Sequence, residues 1–573
     1  MCKGLFFLFF LISLSASATT FYARDFGVKG DGITDDGPAL RKTITALTHA
    51  QGENTLVFEP RSRVYVKNFK GIYLFDFQAI SGLTIEGKGS VFLLDGRVRF
   101  LSLKSCSGVT INDLSIDYTP LPFADGEVVA INRAARYIDV RIAPGYAMPP
   151  LGGPTKAPAE QAYFGMLWNK GPYSLLGTHY WIKDVRLPEK GSLEQRIVRV
   201  EASPEFTDWN AIQAHVTQIS VPVRGIAHMG PHEVIRVVES DNVYFNRVNV
   251  WSAPWFAVGV ARNKGEVRFK EVNIVPKPGT HRLTSSWRDG FHVSSNYARL
   301  LWEDCRVEGT NDDAFNIQSF TSTLLRVKSG NTITIRQNFP LDIVPYPQGD
   351  SVSVFDPEKG IILGGAKVST STGFDKADHA SAPEITLVLD KPIQGMNPGC
   401  QVWNESSANP HTLLRHCQIY NSCRFQSPVT IASCDITALA WFYGDNIEGP
   451  IPSHILIKNS RLFVGRGNST AALVFSVEMT KNGVHFPSTK QAIADVTLQD
   501  NVIDGQLRVS HVDHISLFRN KFLLPRSKVI FEDCRHILMK DNFLGNIEIN
   551  HLNQINFLDS ASRASATVVS GVK

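Results

Sequence analysis

Short alternating strands return along this chain at nearly constant intervals, and that periodicity restricts the fold more than any single motif. "VTLQDNVIDG", "ISLFRNKFLL", "ILMKDNFLG" and "INFLDS" start at Val496, Ile515, Ile537 and Ile555, which are 19, 22 and 18 residues apart. Similar segments begin at Val109, Val243, Val267, Leu300, Leu413, Val429 and Ile455. No single unit can bury its own apolar side chains. Stacking coil on coil at the ~4.8 Å strand spacing does bury them. The expected fold is all-β, a right-handed parallel β-helix whose Asn and Asp positions turn the corners. A sandwich or propeller fits less well, because the strand pairs recur without Asn-Gly hairpin turns.

Two stretches break the rhythm, residues 120–225 and 322–405, where alternating strands are joined by longer polar turns. They are expected to be two inserted antiparallel β-barrel-like domains, since closing a sheet removes its exposed edges. The β-helix is then divided into an N-terminal part (19–119), a middle part (226–321) and a C-terminal part (406–573). Near the start, "GDGITDDGPALRKTITALTHA" places Asp35 and Asp36 ahead of an amphipathic run over 38–47. Either aspartate can N-cap a helix that closes the open end of the first coil. The surrounding Asp-Phe-Gly…Gly-Asp-Gly…Thr-Asp-Asp pattern resembles the N-terminal signature of the pectin-lyase-like β-helix superfamily, which implies fold and not activity.

Residues 1–18 have the form of a signal peptide, with Lys3, an apolar run over 5–14 and the small-residue site Ala16-Ser17-Ala18. The protein is expected to be exported, to a periplasm or to the medium. No later segment approaches 18 consecutive apolar residues, so no membrane span is expected. A balance of 58 Lys and Arg against 54 Asp and Glu, with no basic tract, gives no reason to expect nucleic acid. Of eight cysteines, all but Cys2 lie beyond the signal segment, and none forms a CxxC. The odd number leaves at least one thiol free, and Cys305, Cys417 and Cys434, inside strand-like segments, are expected as small buried residues and not as zinc ligands.

The chemistry concentrates in "SSWRDGFHVSSNYARLLWEDCRVEGTNDDAFNIQSF". Asp312 and Asp313 are adjacent, and Asp289 precedes Asp312 by 23 residues, about one coil. Residues one coil apart share a face, so three carboxylates are expected at one surface, raising each other's pKa values. Hydrolysis of a glycosidic bond uses such a cluster, because it needs one protonated acid and one ionised carboxylate. Neighbours on a strand point to opposite faces, so both members of the pair can serve only if the backbone bends at 311–314. Sugar-binding candidates are Trp287, Arg288, His292, Glu308 and Asn316 near the acids, and Glu405, Arg424, Trp441 and Asp445 on later segments. Trp251 and Trp255 are expected to pack in the core, and Asn468-Ser469-Thr470 is a glycosylation sequon.

The Asp…Asp-Asp arrangement is similar to that of polygalacturonases, inverting β-helix glycosidases. The chain differs from them in lacking a Gly-His-Gly after the pair and an Arg-Ile-Lys grip for a uronate. It more closely resembles glycoside hydrolase family 110, exo-acting α-1,3-galactosidases that combine a β-helix with two barrel insertions. That family places a Trp-Arg-Asp-Gly-like coil ahead of Asn-Asp-Asp, matching Trp287-Arg288-Asp289-Gly290 and Asn311-Asp312-Asp313. The resemblance implies an inverting hydrolase that removes terminal α-1,3-linked galactose from blood-group-B-type or linear Galα1,3Gal glycans. It implies Asp312 as general acid and Asp289 and Asp313 as general bases, with no cofactor and no metal. The implied partner is a glycan ending in α-galactose, and a homodimer is compatible with this reading. The competing readings are another β-helix glycosidase, polygalacturonase-like in substrate, and a non-catalytic carbohydrate-binding β-helix.

Overall fold

The computed structural model describes residues 18–573 apart from 51, 68, 154–162, 170–174, 190–191, 224–231, 340–343, 374–383, 466–469, 482–483, 486–489, 524–526, 544–545, 551–554, 559–567 and 571–573. The signal segment up to residue 17, together with Asn468 and Ser469 of the sequon, lies outside the described residues. Val496, Ile515, Ile537 and Ile555 sit side by side in successive parallel strands, so the repeat interval is the length of one coil. Long strands such as Asp241–Val250 pass between two ribbons of a 23-stranded sheet, and a 13-stranded parallel sheet closes the third side. No helix among the described residues is long and apolar enough to cross a membrane.

Alternation along each strand sends every second side chain inward, where like stacks on like. Phe245, Phe269 and Trp302 lie 5.1 and 5.4 Å apart, and Phe425, Phe442 and Phe475 lie 5.0 and 4.8 Å apart, close to the strand spacing. Cys305, Cys417 and Cys434 are free and buried, as are Cys106, Cys400, Cys423 and Cys534. The corners are turned by buried asparagines. Asn263 Nδ2 donates to Asn296 Oδ1 at 2.9 Å, and Asn296 Nδ2 donates to Asn409 Oδ1 at 3.0 Å. Asn501, Asn520 and Asn542 repeat this ladder at 3.0 Å per step. Each buried amide thereby finds its partner on a neighbouring coil.

At the N-terminal end, the helix Gly37–His49 buries Leu40, Thr43 and Leu47. Its Asp pair holds the turn differently from a simple cap. Asp36 makes no side-chain bond to the helix; its carboxylate accepts the N–H groups of Lys29 and Gly30 at 2.7 and 3.0 Å. Asp35 accepts from Gly37 N and Lys67 N, each at 3.0 Å.

The two insertions are closed six-stranded antiparallel barrels, one running from the strand Phe123–Asn132 to Thr217–Pro222 and one from Ser322–Ser329 to Gln401–Asn404. Each has its own apolar core. The first interrupts the chain between the strand Ser107–Tyr118 of the 23-stranded sheet and Ile235–Val238 of the 13-stranded sheet. The second interrupts it between Phe315–Gln318 of the 13-stranded sheet and His411–Arg415 of the other. The barrels therefore leave from opposite edges of the 13-stranded sheet and bracket its outer face.

Candidate active site

The acids occupy the corner that leads into this sheet. Phe291 lies opposite Phe315 in parallel strands, so the coil here is 24 residues, one longer than the Asp289-to-Asp312 spacing. Asp313, not Asp312, therefore stacks on Asp289, and Gly290 N donates to Asp313 O at 2.9 Å. Gly290 is required by this approach: a Cβ there would lie 2.7 Å from Ala314 O and 2.9 Å from Val307 Cγ1. Residues 311–314 lie in a bend between the strands Arg306–Val307 and Phe315–Gln318. The bend is fixed by Asn311 N donating to Ser286 O at 2.9 Å and by the Thr310 hydroxyl donating to Asp312 O at 2.8 Å. It brings carboxylate oxygens of Asp289, Asp312 and Asp313 within 4.8 Å of one another.

The three carboxylates are not equivalent. Asp289 and Asp313 are buried, whereas the Asp312 side chain is 29% exposed. Burial, followed by the charges of Asp312 and Asp313, holds Asp289 well above the usual carboxylate range. Burial and then the Asp312 charge push Asp313 up to about 8, although Arg424 and Ser422 favour its ionised form. The Ser422 hydroxyl donates to Asp313 Oδ1 at 2.7 Å, and Arg424 Nε lies 3.5 Å from Oδ2. Arg288 Nη1 donates to Asp312 Oδ2 at 2.8 Å. The cluster thus keeps a proton on its buried pair near neutral pH, beside an accessible carboxylate paired with arginine.

The first barrel supplies one wall. The Arg288 guanidinium lies 5.2 Å from the ring centroids of both Phe164, on the barrel, and Trp255, on the β-helix. Trp287 is fully buried and stacks on Phe164 at 5.0 Å, within an apolar cluster that includes Met166 and Trp168. Trp287 therefore joins barrel to coil and does not offer a face to a sugar. His179, also from the barrel, lies 4.2 Å from Phe164 with its ring tilted by 32° and hydrogen-bonds the Asn311 backbone. Burial holds its imidazole below the usual range, against the pull of Asp312.

On the other side, Arg424 pairs with Glu448 at 2.9 Å and contacts the Tyr443 hydroxyl. Burial raises Glu448 from its ordinary value; Arg424 and a hydrogen bond from Asn316 oppose that rise. Asp445 serves this loop: its Oδ1 accepts the N–H groups of Ile447, Glu448 and Gly449 at 2.7, 2.7 and 3.2 Å. The second barrel and its junction clamp the same loop through Thr321 and Asn338, each donating to Asn446 O at 2.5 Å.

His292, Asn316, Arg424 and Trp441 form one row across the outer face of the sheet, in register on successive coils. Trp441 Nε1 donates to Ser476 at 2.8 Å, and its ring stacks on Tyr443 at 4.0 Å. Glu308 and Glu405 are engaged elsewhere, Glu308 by Arg306 at 2.8 Å and Glu405 by Trp403 Nε1 at 2.7 Å. His179, Ser422 and Glu448 are site groups that the sequence reading did not single out. Only Glu448 had a signal, its place three residues after Asp445 in "GDNIEG".

The fold and the site together define the class as a parallel β-helix protein with a carboxylate cluster flanked by two arginines at one corner. Within it, the chain is 21% identical over 505 residues to α-1,3-galactosidase A of Shewanella woodyi, covering 84% of this chain and 75% of that protein. It is 22% identical over 437 residues to α-1,3-galactosidase B of Bacteroides thetaiotaomicron, covering 71% and 68%. The chain is thus a homologue of proteins named α-1,3-galactosidase. No family model matches it. Among solved structures, the surface adhesin PfbA of Streptococcus pneumoniae aligns with 93% of this chain and 87% of its own, at 10% identity and a TM-score of 0.37.

Proposed function

We propose that the protein is an exo-acting glycoside hydrolase that removes terminal α-1,3-linked galactose, from branched blood-group-B-type or linear Galα1,3Gal glycans, with inversion at C1. The observation that carries this reading is the proton-holding cluster of Asp289, Asp312 and Asp313, with carboxylate oxygens within 4.8 Å of one another, in a homologue of proteins bearing the galactosidase name. The proton held by the buried pair passes to Asp312, the accessible member, which donates it to the glycosidic oxygen as the C1–O bond breaks. Asp289 and Asp313 hold the water whose oxygen bonds to C1, and one of them takes its proton. The cluster ends with as many protons as it began with, and transfer among the three carboxylates restores the starting state. Arg288 and Arg424 stabilise the charge left behind and, with Asn316, offer donors to sugar hydroxyls. The form of residues 1–18 supports action after export.

One observation favours a second reading. Carboxylates of an inverting pair ordinarily stand roughly 6.5–9.5 Å apart and those of a retaining pair about 5–5.5 Å, and the cluster here is tight enough for the latter. In that reading a buried aspartate attacks C1 directly. NMR of Galα1,3Gal hydrolysis separates the two: β-galactose appearing first supports inversion, and α-galactose appearing first establishes retention. Asp312→Asn should abolish galactose release while leaving the melting temperature close to wild type. Turnover of polygalacturonate with none of any α-galactoside would overturn the substrate assignment.

A further inference from the structure

The row on the 13-stranded sheet continues past the acids. From Asn316 it runs through His292 and Gly259 to Arg236, each in register with the next. Three steps at the strand spacing make ~14 Å, longer than one sugar ring. His292, Gly259 and Arg236 floor a cleft of about 410 Å³ that starts at Glu448 and Trp255, beside the cluster, and is walled on the second-barrel side by Phe320 and Phe339. The two phenylalanines stack at 4.9 Å with their planes 8° apart. On the floor, Phe256 and His292 stack at 4.5 Å, only 3° from parallel. In this stack each ring covers one face of the other, so the pair can meet the C–H face of a pyranose only with the outer face of one ring.

Polar groups are held beside the stack by a specific backbone feature. Gly259 has no side chain, and Glu233 lies across the space one would fill: a Cβ there would be 2.5 Å from Glu233 Cγ and 2.8 Å from its Oε1. Glu233 and Arg236 therefore line the cleft together, an acceptor and a fork of donors suited to vicinal hydroxyls.

We propose that this cleft is a binding site for the saccharide on the leaving-group side of the scissile bond, with the outer face of the Phe256–His292 stack as platform and Glu233 and Arg236 as hydroxyl readers. The inference rests on the exo-galactosidase reading. An exo-acting enzyme holds one ring before the bond, so any further length of cleft serves the rings beyond it. The preferred substrate is then an oligosaccharide longer than a disaccharide, with neutral, hydroxyl-rich acceptor sugars.

The test compares kcat/KM on an aryl α-galactoside, on Galα1,3Gal and on a tetrasaccharide ending in the same linkage, for wild type, Arg236→Ala and Gly259→Ala. Wild type should gain at least tenfold from disaccharide to tetrasaccharide. Arg236→Ala should erase that gain, a loss of about ten- to hundredfold on the long substrate, with a much smaller change on the aryl galactoside. Gly259→Ala, which lifts Glu233 into the cleft, should do the same. The proposal is overturned if wild type shows no length dependence, or if both variants lose equally on all three substrates. Those outcomes leave galactosidase action standing. Absence of wild-type turnover on every α-galactoside would instead remove the activity and the cleft assignment with it.

Discussion

Asp313 carries opposing demands in one side chain. Its pKa rises from an ordinary 3.8 to about 8 because burial and the Asp312 charge outweigh Arg424 and Ser422. Between those values the folded state binds a proton that the unfolded state releases, so stability is fully present below about pH 4 and is lost as the pH rises towards 8. Asp313→Asn, with no charge to bury, should melt above wild type at pH 8, by a few kcal/mol at most, and the difference should vanish near pH 4. Thermal melts of both proteins across that range check the sign. Activity should show the complementary limb, kcat/KM of wild type falling above pH 8 as the cluster loses its proton. The arginines make a further prediction. Arg288 and Arg424 already supply positive charge to two carboxylates, so EDTA dialysis should leave turnover unchanged, and a loss restored by a divalent cation would show that the cluster works as a metal site. The three aspartates were readable because two are adjacent and the third lies one coil away. His179 was not, and Glu448 only through its place after Asp445, because each arrives on a loop or barrel strand more than a hundred residues from Asp289 or Asp312.

At the scale of elements, the coil interval was legible and its local exceptions were not. The offsets from Val496 to Ile555 are the strand register, since every coil must bring apolar residues to the same interior line. Around the acids, the bend at 311–314 adds one residue to the expected 23, and so exchanges which aspartate stacks on Asp289. Of the pair at Asp35 and Asp36, Asp35 accepts the first N–H of the helix, as expected, whereas Asp36 turns back towards Lys29 and Gly30. The corners depend on ladders such as that through Asn296. Its Oδ1 accepts Asn263 N at 3.0 Å as well as Nδ2, while its own Nδ2 donates to Val260 O at 3.1 Å and to Asn409. Asn296→Leu would strand the N and Nδ2 donors of Asn263 and take a donor from Val260 O in a site without water access, while the backbone N–H of residue 296 would still serve Asn409 Oδ1. The expected cost is ~2–4 kcal/mol, read as a lower urea midpoint with an unchanged slope.

The whole molecule explains why the site needs both insertions. A bare β-helix would expose the sheet face carrying Arg424 and the corner carrying the acids, and exposed carboxylates would relax towards ordinary pKa values. The barrels were legible as interruptions of the coil rhythm, because their strands alternate without coil-length spacing. Where they lean was not, since Phe164 and Trp287 are distant in sequence and meet only after both units fold. That contact places Phe164 under Trp287, Arg288 and His179 together, at 5.0, 5.2 and 4.2 Å. Phe164→Ala therefore removes the support of the arginine that holds Asp312, while the barrel keeps a separate core of Tyr180, Ile182, Val198 and Val200. Truncating a buried phenylalanine costs about 3–5 kcal/mol, here charged to the contact between barrel and β-helix. The expected result is a fall in kcat of at least tenfold, with far-ultraviolet circular dichroism unchanged and an unfolding transition split or broadened as the first barrel loosens from the coils. If kcat stays at the wild-type value while the transition shifts, the barrel wall stabilises the fold without positioning Arg288, and the placement of Asp312 must come from the β-helix alone.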